Sequence, residues 1–285
     1  MNNFVQPFKF RIAVLDLYQG AANQGMRGIQ TIIKKWSEQK SIQPQIDYFD
    51  VRSKNEIPDL SYHAYISSGG SGSPLDSRYE DWDIAWCQWL ERVQRWNSDP
   101  SQLNKKYVFL ICHSFQLACR YFNTGLVCKR RSTAFGIFPV HLQVEGKKEV
   151  VFEGLNDTFY AVDNRDYQII QPRLKQIQQM GGQLLCIEKE RPHVPYERAV
   201  MGLRFDPYMI GTQFHPEADP IGMAHYLNQD EKRKLIIENH GEEKLKNMLE
   251  HLQDPDKISW TQAHVLPNFL TQAYSNLSAT LNRLN

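Results

Sequence analysis

The chain has 285 residues, of which 41% are hydrophobic and 23% are charged, a composition that allows a packed core and argues against disorder. Its 33 Lys and Arg residues nearly balance its 32 Asp and Glu residues, so charge gives no reason to expect nucleic acid or a membrane as a partner. No apolar run approaches the about 20 residues that cross a bilayer, and the first residues do not resemble a secretory signal.

The cysteines and histidines follow no disulfide or metal-binding pattern. The five cysteines have irregular spacing and include no CxxC pair, and the nine histidines are scattered. Reduced thiols explain an odd cysteine count better than a disulfide framework does. We therefore expect a cytoplasmic protein that has no metal and no cofactor.

In the first 121 residues, short apolar runs alternate with helical patterns. Strands are predicted at residues 11–17, 45–50, 64–67 and 107–111. Helices are predicted from about residue 23 to 36, from about 81 to 96, and after Cys112. The last strand is a continuous apolar run, which is typical of a central parallel strand. The alternation predicts right-handed crossovers and a mostly parallel central sheet flanked by helices.

After about residue 134 the strand candidates follow one another closely. They are residues 136–142, 149–152, 159–162, 184–188, 200–205 and 209–214, and the short turns between them predict antiparallel hairpins. The basic run at residues 129–131 is interpreted as a solvated turn. The fold class is therefore α/β, with a mostly parallel central sheet and an antiparallel extension.

Beyond Pro220 the sequence predicts a charged helical tail, with helices at about residues 230–252 and 260–281. We place the main domain at residues 8–225 and a helical C-terminal extension at residues 226–285. An apolar stripe in the tail needs a surface to bury against, which the protein itself, a second copy or another protein would supply. The stripe consists of Leu235, Ile236, Leu245, Met248 and Leu249.

Cys112 lies where the predicted central strand meets a helix. A side chain at such a turn projects clear of the sheet, and the free N–H groups of the helix N-terminus stabilise a thiolate. The next backbone N–H, that of His113, is then placed to bind a developing oxyanion. Taken alone, the same cysteine is also compatible with an ordinary buried thiol.

His215 and Glu217 are separated by one proline. In an extended segment residues i and i+2 share a face, and Pro216 favours the extended conformation at His215. A carboxylate beside a histidine fixes its tautomer and stabilises the imidazolium, as a base that activates a thiol requires. A surface histidine in a turn is the alternative.

A glycine-rich segment at residues 68–74, Ser-Gly-Gly-Ser-Gly-Ser-Pro, directly follows a predicted strand. Its glycines allow the backbone to approach a ligand closely, and ligands bind at the carboxyl ends of strands in open α/β sheets. The segment is not a phosphate-binding loop, because no Gly-Lys-Ser/Thr follows it.

Together and in this order, the three segments resemble the class I glutamine amidotransferase family, and most closely the amidotransferase domain of GMP synthase. The family loop Ser-Gly-Gly-Pro-Gly-Ser-Pro is matched with Ser71 in place of proline. The family elbow Gly-x-Cys-x-Gly-x-Gln is matched with Leu110 and Ser114 in place of glycines, and Gln-Phe-His-Pro-Glu is matched without change. The resemblance covers roughly residues 10–220 and implies a flavodoxin-like sheet.

The resemblance implies a role for each matched residue. Cys112 becomes the nucleophile, His215 the base and Glu217 the residue that orients the histidine. Gly70 and His113 would supply the backbone amides of the oxyanion hole, and Gln116 would help to hold the substrate. Family members place the substrate α-carboxylate with a Ser-His pair before an Asp. This chain has Asp163 and Asn164 in that region, which departs from the pattern.

The implied reaction is hydrolysis of the glutamine side-chain amide through a γ-glutamyl thioester, with release of ammonia to an unknown acceptor. A partner synthetase or a homo-oligomer is compatible with a free-standing domain of this kind. Three alternatives remain: acyl transfer from acyl-CoA as in homoserine O-acyltransferases, which accept a bulky residue at the position of Leu110; a related γ-glutamyl hydrolase; and a non-catalytic binding module.

Overall fold

The structure is a computed structural model that describes residues 9–20, 23–192 and 195–284. Its strands are β1 (Arg11–Asp16), β2 (Gln45–Asp50), β3 (Ala64–Ser67), β4 (Tyr107–Ile111), β5 (Leu126–Leu142), β6 (Thr158–Ile170), β7 (Gln183–Glu188), β8 (Val200–Asp206) and β9 (Met209–Thr212). Its helices are α1 (Gln24–Gln39), α2 (Val51–Lys54), α3 (Asp81–Ser98), α4 (His113–Tyr121), α5 (Leu174–Gln179), α6 (Pro220–Leu227), α7 (Asp230–His240), α8 (Glu242–Gln253) and α9 (Ile258–Leu284).

In the described part of the chain the strands form one sheet in the order β2-β1-β3-β4-β9-β8-β7-β5-β6. The pairs from β2 to β9 are parallel, and the pairs from β9 to β6 are antiparallel. The parallel half has the flavodoxin-like order, in which ligands bind at the carboxyl ends of the strands. The predicted α/β fold class, with an antiparallel extension and C-terminal helices, is confirmed.

Helices cover both faces of the parallel strands. Alternate residues of β1 point to opposite faces, so Val14 packs with α1 and α9 while Ala13 packs with α3 and α4. The α3 face is rich in aromatic residues, and the rings of Trp86 and Trp89 lie 6.0 Å apart. The site lies at the carboxyl ends of the parallel strands.

The tail packs on the protein itself. Phe269 of α9 lies in the main core with its ring 5.3 Å from that of Phe109 in β4. Ile236, Leu245 and Met248 of the predicted apolar stripe are buried against the β5–β6 hairpin, whereas the side chain of Leu235 lies outside the described residues. We propose that residues 226–285 form an extension that is integral to the fold of residues 8–225.

Two local predictions in the antiparallel half were wrong. Residues 149–152 are not a strand: 3-10 turns at Gly146–Lys148 and Val150–Phe152 turn the apolar side chains of Val151 and Phe152 into the core beside α9. A short apolar run signals burial without specifying the backbone conformation. The basic run at residues 129–131 is not a turn, because it lies within β5, where Arg130 is nearly buried and pairs with Glu188.

The predicted tail helix at residues 230–252 is two helices. Gly241, whose φ is 83°, ends α7 and begins α8. This left-handed conformation suits glycine, so the charged segment folds back on itself rather than continuing. No helix in the described ranges has the length and apolar character needed to cross a membrane.

Candidate active site

Cys112 occupies a sharp turn between β4 and α4. Its φ of 47° and ψ of −95° are unusual for a residue with a side chain. The turn is held on both sides, since the Cys112 N–H donates to Thr212 O at 2.8 Å and its carbonyl accepts from the Gln116 N–H at 2.9 Å. The thiol therefore lies at the N-terminus of α4 and is only 4% exposed.

His215 and Glu217 follow β9, the strand next to β4. The His215 N–H donates to Val162 O at 2.9 Å, and its Nδ1 lies 2.8 Å from Glu217 Oε1. Burial by itself lowers the pKa of His215, but the Glu217 carboxylate and the adjacent Cys112 sulfur together raise it well above its ordinary value. The arrangement stabilises an imidazolium beside the thiol.

Two glutamine side chains extend from Cys112 into the protein. Gln213 Nε2 donates to Cys112 Sγ at 3.5 Å, and Gln116 Nε2 donates to Gln213 Oε1 at 3.1 Å and to Tyr167 O at 3.3 Å. Gln116 thus reaches the sulfur through Gln213. A direct contact between Gln116 and a substrate stays a prediction.

The glycine-rich segment at residues 68–74 lies beside the histidine. A Cβ at Gly69 would lie 2.7 Å from Tyr18 Oη and 3.0 Å from His215 Cε1, so a side chain there would displace one of these rings. Gly70 and His113 follow adjacent strands, β3 and β4, at the same edge of the sheet. Burial lowers the pKa of the His113 side chain to about 3, which leaves its ring neutral.

The Arg52 side chain, which is partly exposed, holds this segment through a carbonyl oxygen. Arg52 Nη1 donates to Ser71 O at 2.6 Å and to Leu17 O at 3.3 Å, and the Arg52 guanidinium lies 4.8 Å from the Trp82 ring. Ser71 stands where the family loop has proline. Contacts with Arg52 therefore restrain the backbone at Ser71, which a proline ring restrains in the family loop.

The other two departures from the family motifs also have structural explanations. Ser114 Oγ lies 2.9 Å from Ser67 O and contacts Ser68 O, so this serine links α4 to the glycine-rich segment. Leu110 pairs in register with Gly211, where a Cβ would lie 3.1 Å from Leu110 Cβ. The glycine on the neighbouring strand provides the room that Leu110 needs.

Asp163 and Asn164 lie on opposite faces of β6. Asn164 lines the cavity beside His215, and its carbonyl oxygen lies 3.8 Å from Cys112 Sγ. Asp163 is 2% exposed and pairs with Arg165, whose Nε lies 2.9 Å from Asp163 Oδ1. Burial raises the pKa of Asp163, although Arg165 opposes the shift. The structure therefore brings Asn164 to the site and places Asp163 in a buried ion cluster.

That cluster joins β5, β6 and β7 to the segment that follows β7. Glu188 Oε1 lies 3.3 Å from both Arg165 Nη2 and Arg130 Nη2, and Glu188 Oε2 lies 2.9 Å from Arg191 Nη2. The Arg165 side chain has no exposed surface. Removal of one partner from such a cluster would leave an uncompensated buried charge.

A cavity of about 620 Å³ opens beside His215 and Glu217. Its other walls come from the segment between β1 and α1, from the β5–β6 hairpin and from α6. Within the described ranges no group of three or more His, Cys, Asp or Glu side chains is arranged to hold a metal ion.

The sequence matches the protein-family model for Glutamine amidotransferase class-I over residues 25–232. The chain belongs to the class I glutamine amidotransferase family. No curated protein matches it. Among solved structures it is similar to a glutamine amidotransferase from Thermotoga maritima, with a TM-score of 0.65, 16% identity, and coverage of 93% of this chain and 98% of that chain.

Two further structures show the same likeness. For a glutamine amidotransferase from Methylobacillus flagellatus the TM-score is 0.57 at 13% identity, with 92% and 94% of the two chains covered. For the CTPS glutaminase domain of Trypanosoma brucei with bound acivicin it is 0.54 at 15% identity, with 73% and 86% covered. Identities this low show the fold and do not support the predicted closeness to GMP synthase.

For this glutamine amidotransferase, sequence reasoning missed several side chains that surround the motifs. Tyr18 lies against the glycine-rich segment, and burial, Glu217 and Cys112 raise its pKa well above the ordinary value. Its position after the first strand was the only available signal. Arg52 lies on a separate helix, α2, so no sequence signal indicated that it would contact the glycine-rich segment. Gln213 was part of a matched motif but had no assigned role.

Proposed function

We propose that this chain hydrolyses the side-chain amide of glutamine and releases ammonia, with Cys112, His215 and Glu217 as its catalytic triad. The observation that carries the proposal is the strained Cys112 turn beside a histidine held by a carboxylate at 2.8 Å. A nucleophile, a base and an orienting group within one buried cluster are what thiol catalysis needs. Family membership supports glutamine as the substrate.

In the proposed reaction His215 takes the thiol proton as Cys112 Sγ attacks the amide carbonyl carbon. The tetrahedral oxyanion accepts hydrogen bonds from the backbone N–H groups of Gly70 and His113. The C–N bond then breaks, His215 returns the proton to the leaving nitrogen, and ammonia departs. Water activated by His215 hydrolyses the γ-glutamyl thioester, which yields glutamate and restores the thiol.

Substrate placement is assigned to the groups around Cys112. The position of Asn164 at the cavity wall supports a contact with the α-carboxylate end of glutamine. Asp163 positions β6 through its ion pair with Arg165, and Gln116 positions the Cys112 sulfur through Gln213. The ammonia passes to an acceptor or to a partner synthetase.

Acyl transfer is the competing function. Leu110 was the residue that favoured it, and Gly211 on the neighbouring strand already accounts for a bulky residue at that position. The glycine-rich segment presses against the site and suits a small substrate better than a pantetheine arm.

A glutamine-mimicking diazoketone tests the proposal. Intact-protein mass spectrometry should show one adduct on the wild-type chain, free glutamine should prevent it, and Cys112→Ala should abolish it. Cys119→Ala is the matched control, because Cys119 lies in the same helix and burial raises the pKa of its thiol. An acyl adduct from acyl-CoA, without labelling by the diazoketone, would establish acyl transfer instead.

A further inference from the structure

The Cys112 sulfur has both a hydrogen-bond acceptor and a hydrogen-bond donor within contact distance. The acceptor is the main-chain oxygen of Asn164, 3.8 Å from Sγ, and the donor is the side-chain Nε2 of Gln213, 3.5 Å from Sγ. A thiol has a proton to donate to the carbonyl oxygen, whereas a thiolate has none and is repelled by the partial negative charge there. The contact with Gln213 is therefore the one that strengthens when Cys112 loses its proton.

The orientation of the Gln213 amide is fixed by a chain of hydrogen bonds that ends at a main-chain carbonyl. Tyr167 O only accepts hydrogen bonds, so Gln116 must turn its side-chain NH2 group toward that oxygen, at 3.3 Å. The same NH2 group donates its second hydrogen to Gln213 Oε1 at 3.1 Å. Because its oxygen is held there, Gln213 presents its own NH2 group to the sulfur. Turning over either amide would place like charges of neighbouring dipoles against each other.

The two glutamines are shielded from solvent. Gln213 is 0% exposed and Gln116 is 3% exposed, so solvent is poorly placed to replace their hydrogen bonds. The main chain of Gln213 is also anchored, since its N–H donates to Met201 O in β8 at 2.8 Å. A hydrogen bond to a charged group is stronger in such surroundings than in water, and its loss leaves the charge without compensation.

We infer that Gln213 is a further catalytic residue, whose side-chain N–H donates to Cys112 Sγ and stabilises the thiolate. The inference rests on the proposed function and adds one residue to its triad. In the first step the N–H stabilises the thiolate that forms when His215 takes the thiol proton. In the last step water attacks the thioester carbonyl carbon, the C–S bond breaks and its electron pair returns to Sγ. Gln213 stabilises that leaving thiolate until His215 returns a proton to it.

The test is the pH dependence of Cys112 alkylation by iodoacetamide, followed by peptide mass spectrometry on the free enzyme. Gln213→Met keeps the length of the side chain and removes its donors, so the pH of half-maximal rate should rise by about one unit, a tenfold change in the ratio of thiolate to thiol. The plateau rate at high pH should be at least that of the wild type, because the thiol is then fully ionised in both chains. A change in packing alone would alter the plateau and leave the midpoint in place.

Gln213→Asn is the second variant, which keeps an amide but withdraws it from the sulfur by one CH2 group, and it decides the question if Gln213→Met does not fold. Gln168→Met is the matched control: Gln168 Nε2 donates to Cys128 Sγ at 3.8 Å, so the variant removes the same kind of contact from another thiol and should leave the Cys112 midpoint unchanged.

A wild-type midpoint in a folded Gln213 variant overturns the inference, and the proposed function stands if glutamine is still hydrolysed through Cys112. An equal shift in Gln168→Met also overturns it, because the effect would not depend on the contact with Sγ. A shifted midpoint in a chain that does not hydrolyse glutamine would support Gln213 as the donor to the thiolate and reject the proposed substrate.

Discussion

The two walls of the site are held by different kinds of contact. The loop wall, residues 68–74, is fixed by side chains that bind its main-chain oxygens: Arg52 binds Ser71 O, and Arg120 binds Pro74 O. The hairpin wall, made of β5, β6 and α6, is held by apolar packing from the tail helices and by the ion cluster around Glu188.

The two kinds of contact predict different effects of substitution, on the reaction in one wall and on stability in the other. Hydrogen bonds to carbonyls are directional and fix atoms, so changes in the loop wall should impair the reaction more than the fold. Apolar packing and buried charge contribute mainly to the free energy of unfolding, so changes in the hairpin wall should act in the opposite way. The predictions below test this separation, from the largest expected effect to the smallest.

Cys112→Ala should remove glutaminase activity by at least about 10⁴-fold, because the nucleophile has no substitute. His215→Asn should come close to this loss, and Glu217→Gln should lose less, since an orienting residue contributes less than a nucleophile. Glutamate release measured with purified protein gives the comparison. Wild-type turnover by Cys112→Ala would refute the triad.

Deletion of the chain after Asn228 should make the protein insoluble, because it removes the cover of the hairpin wall and also α9. Phe269→Ala alone should lower the free energy of unfolding by about 3–5 kcal/mol, as expected for a buried aromatic residue. Asn276→Ala, an exposed change on the same helix, should alter it by less than about 0.5 kcal/mol. Expression trials and denaturant titration measure these effects, and a soluble, equally stable truncation would show that the tail is dispensable.

Arg165→Met should destabilise the protein by about 3 kcal/mol at neutral pH, because Asp163 and Glu188 lose a buried partner. The penalty should shrink on acidification, since a protonated Asp163 needs no counter-charge and burial already raises the pKa of its carboxyl group. Denaturant titration at several pH values measures it. A loss of kcat without loss of stability would contradict the separation between the walls.

Arg52→Ala should lower kcat/KM for glutamine about tenfold with little change in stability, because charged hydrogen bonds of about 1.5–3 kcal/mol no longer hold Ser71. Lys54→Ala on the same short helix is exposed and serves as the control. Steady-state kinetics and thermal unfolding should be measured on both variants. Equal activity of the two variants would show that the loop wall holds its shape without Arg52.

The smallest effect concerns pH. The folded-state pKa of His215 lies above the unfolded value of about 6.5, so its ion pair with Glu217 is fully present below that value and is lost as pH rises through the folded pKa. The stability advantage of the wild type over Glu217→Gln should therefore decline as pH rises through the folded-state pKa of His215. A constant difference would show that the histidine does not titrate in this range.

How much of this was predictable from the sequence depended on distance along the chain. The positions of Cys112 and the His215–Glu217 pair follow from local rules for strand ends and extended segments, and the parallel order follows from the alternation of elements. The ion cluster did not follow, because Arg165 and Glu188 are 23 positions apart and no local pattern signals their contact. A charged Asp-Asn-Arg-Asp segment also suits an exposed site as well as a buried one.

The tail shows the same limit in another form. Its apolar stripe established that a surface must cover it, but a pattern on one helix does not identify the partner. The strand prediction at residues 149–152 was wrong for a related reason. Four residues with three apolar side chains are compatible with either a strand or a buried turn.

The contact between Phe269 and Phe109 also sets an order of events during synthesis. The strand that ends before Cys112 leaves the ribosome long before α9, which packs against it. At about 5–20 residues per second, the delay is roughly 10–30 s. Until α9 emerges, β4 lacks part of its apolar cover, so the core around this strand is completed only late in translation.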